Sequence, residues 1–315
     1  MSNTPRRTDN HRAATTSHRR RRKLLAAIAG LVTVAVVGAL AWHLNTDTSA
    51  PSGPPARTTS PNPTSIFSKP RMTIAFKDDQ PGLSHSTSGG KWAGFEYDLG
   101  EYLATQFKIT KVPLGVSSDR RDTVLRNGEA DLVLATLSYT DALVTKIEMA
   151  GPYMITSQGI LVRSDNDEIH TVKDLKGKTV CAATGSTSLT EIKKPAYGIA
   201  YREEPEYSSC VRALRKGDIA AVSTDESILY GFQQRHPAEV KVVRGARLGE
   251  LSRYMIGLPP GHKDDCARVA KVLRDFIKSE RWRDQIRSHL HAMTKAETDF
   301  ENRAKPAPET VRCWT

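Results

Sequence analysis

From residue 71 onward, short apolar runs alternate with stretches whose apolar residues recur every three or four positions, and turn residues separate the two. A run of five or six residues rich in β-branched side chains predicts a buried strand, and a three-four recurrence predicts a helix with one buried face. Residues 71–76 (Arg-Met-Thr-Ile-Ala-Phe) predict a strand, and Leu99, Tyr102, Leu103 and Phe107 mark the buried face of a helix over 97–107. A strand over 112–116 follows, then a helix over 119–126 closed by Asn127-Gly128, then a buried strand over 131–136. Strand, helix, strand, helix, strand in that order predicts a parallel α/β sheet.

The alternation returns downstream. A strand over 159–163 crosses to a second lobe, a short helix over 171–177 ends on glycine, and a strand over 179–183 leads into a helix carrying Leu189 and Ile192. A helix over 208–216, a strand over 218–223 and a helix over 226–234 follow. Residues 240–243 and 254–258 read as strands returning to the first lobe, and 264–289 as one long helix with Val269, Val272, Leu273, Phe276 and Ile277 on one face. The expectation is two α/β lobes: 159–249 inserted between 71–158 and 250–290, with a tail over 291–315.

The first 70 residues are of another kind. They hold +8 of the chain's net charge of +11, so the folded part is nearly balanced and gives no argument for nucleic-acid binding. The basic run Arg19-Arg20-Arg21-Arg22-Lys23 abuts an apolar segment over 24–42. As a helix that segment is ~28 Å long, close to the ~30 Å hydrocarbon core. The charge places 1–23 as a cytoplasmic tail and Trp42 at the opposite interface, predicting a single-span anchor; the alternative is a signal cleaved near Ala39-Leu40-Ala41. Either way the remainder lies outside the cytoplasm. Residues 43–70, rich in Pro, Ser and Thr, read as a disordered stalk.

The four cysteines, Cys181, Cys210, Cys266 and Cys313, all follow the apolar segment. An even count in an oxidising compartment predicts two disulfides, of three possible connectivities. Cys181 lies in a strand and Cys210 starts a helix that precedes the neighbouring strand, so both fit in the second lobe, and Cys266 opens the last long helix before the tail ending at Cys313. Pairing Cys181 with Cys210 and Cys266 with Cys313 is therefore expected. Neither a Cys/His metal cluster nor a nucleophile motif stands out, so the sequence predicts no metal, no cofactor and no enzyme.

One stretch carries candidate chemistry by itself. Thr184-Gly185-Ser186-Thr187 breaks the 179–183 strand and opens a helix, with Ser186 or Thr187 as candidate cap. Free backbone N–H groups there suit a carboxylate or phosphate; an ordinary strand-to-helix turn has the same sequence.

Taken in order, several stretches resemble the family 3 bacterial extracellular solute-binding proteins for polar amino acids, in particular the actinobacterial glutamate/glutamine-binding proteins of ABC importers. They are Lys77-Asp78-Asp79-Gln80-Pro81-Gly82-Leu83, Gly94-Phe95-Glu96-Tyr97-Asp98-Leu99, Arg121 through Asn127-Gly128-Glu129-Ala130-Asp131-Leu132, Ala135-Thr136-Leu137-Ser138-Tyr139-Thr140, Ala150-Gly151-Pro152-Tyr153, 180–188 and Ser223-Thr224-Asp225-Glu226. Their joint order and spacing over about 71–290 is specific, although no single piece is. The resemblance implies a two-lobe periplasmic binding protein type 2 (Venus-flytrap) fold that closes on a ligand. It implies that Asp225 holds an α-ammonium, that Thr136 and Ser138 contact the head group, and that Gly185, Ser186 and Thr187 form a carboxylate site. On sequence alone, Asp225 serves equally well as a helix cap. One departure stands out: the family places an Arg for the α-carboxylate where this chain has Leu143. Arg121 and Lys77 are the candidate replacements.

The function these readings predict is capture of a small polar, amino-acid-like ligand for an ABC permease, by a monomeric, membrane-tethered binding protein. The alternatives are a tethered sensor that signals through a membrane partner, and a non-transport relative that has lost amino-acid binding.

Overall fold

The architecture turns on two strands that serve both lobes. The computed structural model describes residues 64–87 and 89–315. In the first lobe, β1 (Arg71–Phe76), α1 (Phe95–Phe107), β2 (Thr110–Gly115), α2 (Arg121–Arg126) and β3 (Leu132–Ser138) form the parallel unit expected from the alternation. Every residue of β3 is buried, as befits a strand covered on both faces. Apolar side chains of α1 and of the helix over Lys263–Lys278 cover one face of this sheet; Val116, Val124, Leu125 and Ile147 form a second apolar cluster on the other.

The long strand β4 (Glu148–Arg163) then crosses to the second lobe, where β5 (Thr179–Ala183), α3 (Thr187–Ile192), β6 (Ala200–Glu204), α4 (Tyr207–Lys216), β7 (Ala221–Asp225), α5 (Glu226–Arg235) and β8 (Val240–Val242) follow. Strand β9 (Leu248–Leu258) returns, and α6 (Lys263–Lys278), α7 (Arg281–His289) and a final strand β10 (Arg312–Trp314) complete the fold. The path through the sheet is β2-β1-β3-β9-β4-β7-β5-β6, with β8 and β10 also pairing to β4. The first part of β4 pairs with β9 in register up to Thr156–Ser252 and, past a bulge, at Gln158–Leu248, whereas β7 pairs with Gln158 to Leu161. Register shifts in β9 between Leu248 and Ser252 sit at this crossing.

Several expectations are corrected. The strand read as 159–163 is the end of one starting at Glu148, nearly all of it buried although Thr156, Ser157 and Gln158 interrupt its apolar run. The 240–243 strand does not return to the first lobe: β8 pairs with Leu161 to Arg163 in the second. The single helix over 264–289 is two, broken where Ser279 takes an extended backbone. The disordered stalk does not reach residue 70. A 3₁₀ turn, Ile66–Ser68, buries Ile66, and Asp265 accepts from Ser65 Oγ (2.6 Å) and the Ile66 N–H (2.9 Å). The 291–315 tail is built into the first lobe, with Met293, Phe300 and Val311 buried and β10 paired to Met149 to Gly151. The disulfides are Cys181–Cys210 and Cys266–Cys313, with Cα separations of 5.6 and 5.5 Å. Among the described residues no helix is long and apolar enough to cross a membrane. The expected tail 1–23, span 24–42 and most of the stalk lie outside the described residues.

Candidate functional site

The cleft is built where the C-terminal ends of β3, β5 and β7 face one another. Such strand ends expose backbone and short polar side chains to the groove between layers, the usual place for a ligand in an α/β protein. Ser118, Arg121, Thr136 and Ser138 come from the first lobe; Ser186, Thr187, Ser188, Tyr207, Thr224, Asp225 and Ile228 come from the second. The lining is dominated by hydroxyls, with one guanidinium and one carboxylate.

Asp225 ends β7 in the position of a cap for α5, yet its side chain makes no capping hydrogen bond. Instead it accepts from Ser252 Oγ (2.7 Å) and Tyr254 Oη (2.8 Å), both on β9. It is 3% exposed. Burial pushes its carboxyl up to about 6, against the pull of those two hydroxyls and of Arg121. The capping role is therefore set aside: the carboxylate is desolvated and aimed into the cleft.

Arg121 is 8% exposed despite opening a helix. Its Nη1 donates to the carbonyls of Ala135 (3.0 Å) and Thr136 (2.8 Å), Nε to Ser118 O (2.9 Å), and Nη2 across the cleft to Gly185 O (3.3 Å). Leu143 has its side chain on the second apolar cluster, with Tyr139 and Trp314, and does not line the cleft. Of the two proposed replacements, Arg121 is in the cleft and Lys77 is not. Lys77 is fully buried where the lobes meet, paired with Glu206 at the start of α4 and 3.4 Å from Asp79. The carboxylates of Asp78, Asp79 and Glu206 come within 4.8 Å of one another, the spacing of a metal site, but the Lys77 ammonium supplies the positive charge there. Burial together with repulsion from Asp79 pushes Glu206 up to about 7.

In the turn after β5, Ser186 is the expected cap of α3: its Oγ accepts from the Leu189 N–H (3.1 Å), which leaves the hydroxyl proton to donate. Gly185 lies against the first lobe, where an added Cβ stands 2.4 Å from the Asp119 Cα, and its φ of +73° suits glycine. Thr136 also has a left-handed backbone, φ 48°, a strained state that neighbours must enforce. Glu96 does so, accepting from the Thr136 N–H (2.6 Å), Ser84 Oγ (3.0 Å) and Tyr153 Oη. Glu96, Tyr207, Ser252 and Tyr254 are contributors the sequence did not single out. Ser252 and Tyr254 lie 27 and 29 residues beyond Asp225, and only strand pairing unites them.

Residues 72–299 match the bacterial extracellular solute-binding proteins, family 3. The chain belongs to this family. The glutamate-binding protein GluB of Corynebacterium efficiens is 35% identical over 205 residues, which is 62% of this chain and 69% of that protein. A glutamine-binding protein of Geobacillus stearothermophilus is 34% identical over 152 residues, 47% of this chain and 58% of the other. Among solved structures, an ancestral arginine-binding protein bound to glutamine matches with a TM-score of 0.65 at 25% identity, covering 70% of this chain and 98% of that one. A solute receptor for L-cysteine from Neisseria gonorrhoeae matches at 0.70 and 20% identity, covering 77% and 98%, a likeness of fold alone. This solute-binding protein thus has the two-lobe periplasmic binding protein fold. Its cleft is closed down to a cavity of about 10 Å³, room for about one water. An amino acid enters only if the lobes part.

Proposed function

We propose that this chain is the extracytoplasmic binding protein of an ABC importer, capturing a small polar amino acid of the glutamate/glutamine class by closing its lobes. The observation that carries the reading is the pairing of Asp225 and Arg121, opposite charges held in one buried, hydroxyl-lined cleft. An α-ammonium replaces solvent at Asp225, and an α-carboxylate meets Arg121 and the hydroxyls of Ser138, Ser186 and Thr187. The guanidinium takes the part that an Arg at position 143 plays elsewhere in the family. Closure follows from contacts available only when both lobes reach the ligand. The work is binding, with no bond made or broken. Residues 24–42 hold the domain at the membrane, facing outward.

Thermal melting of the full chain against a panel of amino acids tests this. Glutamate or glutamine is expected to stabilise the fold by RT ln(1 + [L]/Kd), about 2.7 kcal/mol at a hundredfold excess over Kd, and so to raise the melting temperature. A second reading, a relative that has lost amino-acid binding and serves as a tethered signalling component, draws support from Leu143 and from the small cavity. No shift with any amino acid selects it.

A further inference from the structure

Outside the cleft, a second cavity of about 340 Å³ opens where the lobes meet. That volume falls within the roughly 300–1,000 Å³ range of small-molecule sites. Its two sides differ in charge. Asp78 and Asp79, just after β1, form an acidic first-lobe wall. Arg212 and Arg215 on α4, with Arg235 at the end of α5, form a basic second-lobe wall. Between them Pro81 and Phe232 supply an apolar floor.

Some of these charges are committed already. Asp79 accepts from the Ser208 N–H at the start of α4 (2.9 Å), and Arg215 pairs with Glu239 (2.6 Å). Others are not. Arg212 donates only to Ser209 Oγ (2.8 Å), while Arg235 and the Asp78 carboxylate make no ion pair among the described residues. Two free guanidinium forks thus share a cavity with one free carboxylate, over an apolar floor.

We propose that this interlobe cavity is a second binding site, for a small zwitterion with surplus negative charge, an amino-dicarboxylate. Arg212 and Arg235 each take a carboxylate, for which the planar guanidinium is suited, and Asp78 faces the ammonium. Because its walls belong to different lobes, the site is complete only in the closed form. An occupant there favours closure by its differential affinity, and closure reciprocally raises affinity at the cleft. This assignment stands on the outer cavity alone and does not depend on the reading of the cleft.

Calorimetric titration of the full chain with L-glutamate tests it, in wild type, the Arg212→Ala/Arg235→Ala double variant and Asp225→Asn. The arginines are exposed, so the double variant keeps its fold. The expected result is two saturable events. The double variant weakens one more than tenfold, Asp225→Asn weakens the other, and glutarate, which lacks the ammonium, binds the outer site at least tenfold more weakly than glutamate. A single event lost in Asp225→Asn and unchanged in the double variant overturns the second site and leaves the cleft reading intact. A single event with the opposite pattern supports the second site and removes the cleft reading. No saturable binding of L-glutamate, or glutarate binding the outer site as well as glutamate, overturns the proposal.

Discussion

At the scale of single residues, Asp225 is a carboxylate held in the closed cleft at a cost. Burial raises its carboxyl from 3.8 to about 6. A raised carboxyl contributes stability that is fully present below the unfolded value and is lost as pH climbs through the folded one. Above pH 6 the closed, unliganded protein therefore carries a penalty of about 1–3 kcal/mol, allowing for compensation by the two hydroxyls. Asp225→Asn removes the charge. It is expected to be more stable than wild type at pH 8 by that amount, and so to melt higher, with the difference vanishing below about pH 4. Equal melting of the two proteins at pH 8 contradicts the burial argument. Asp225 was legible as a cleft residue through the family resemblance; by its place between an apolar run and a helix it reads equally well as a cap. Arg121 was legible only as a candidate, since a helical arginine is ordinarily solvated, and what buries it is the β3 end and the facing Gly185 loop. The consequence of Leu143 was half legible: the missing guanidinium could be read, its apolar surroundings could not.

At the scale of elements, the lobes touch through backbone at two glycines. Gly185 meets Asp119, and Gly231 in α5 meets the first-lobe loop so closely that an added Cβ stands 1.9 Å from the Pro81 carbonyl oxygen. Gly231→Ala improves helix propensity by about 1 kcal/mol, so α5 itself does not suffer. The methyl group must instead push the 79–82 loop away. The variant is expected to show a larger radius of gyration by small-angle scattering and at least tenfold weaker ligand binding; an unchanged radius shows that the contact does not govern closure. The buried strands of each lobe were legible from their apolar runs, whereas β6, exposed and charged at its sheet edge, was not. The crossing strands were not read at full length, because β4 and β9 change neighbours midway and their pattern belongs to neither lobe alone. The break between α6 and α7 escaped for a related reason: the apolar face continues through Trp282 and Ile286, and only the backbone at Ser279 departs.

At the scale of the molecule, both ends of the folded chain are fastened to the first lobe. Asp265 binds Ser65 and Ile66 at one end, and Cys266–Cys313 with β10 holds the other. The second lobe joins the first through β4 and β9, so closure of the proposed kind moves it against a first lobe fastened at both ends. Closing the 47-residue separation between Cys266 and Cys313 stabilises the fold by about 4 kcal/mol in the chain-entropy model. Cys313→Ser is expected to lower stability by up to that amount in denaturant titration while leaving ligand affinity within threefold, because the bridge lies in the lobe that stays still. A comparable loss of affinity contradicts that division of labour. The central claim is that an amino acid binds between the lobes with its ammonium on Asp225. Isothermal titration of wild type and Asp225→Asn, full chain, with L-glutamate and L-glutamine tests it most directly. Wild type should bind one of them saturably, and Asp225→Asn should bind it more weakly by about 1.5–3 kcal/mol, the worth of a hydrogen bond to a charged group. Equal affinity in a folded Asp225→Asn protein contradicts the account.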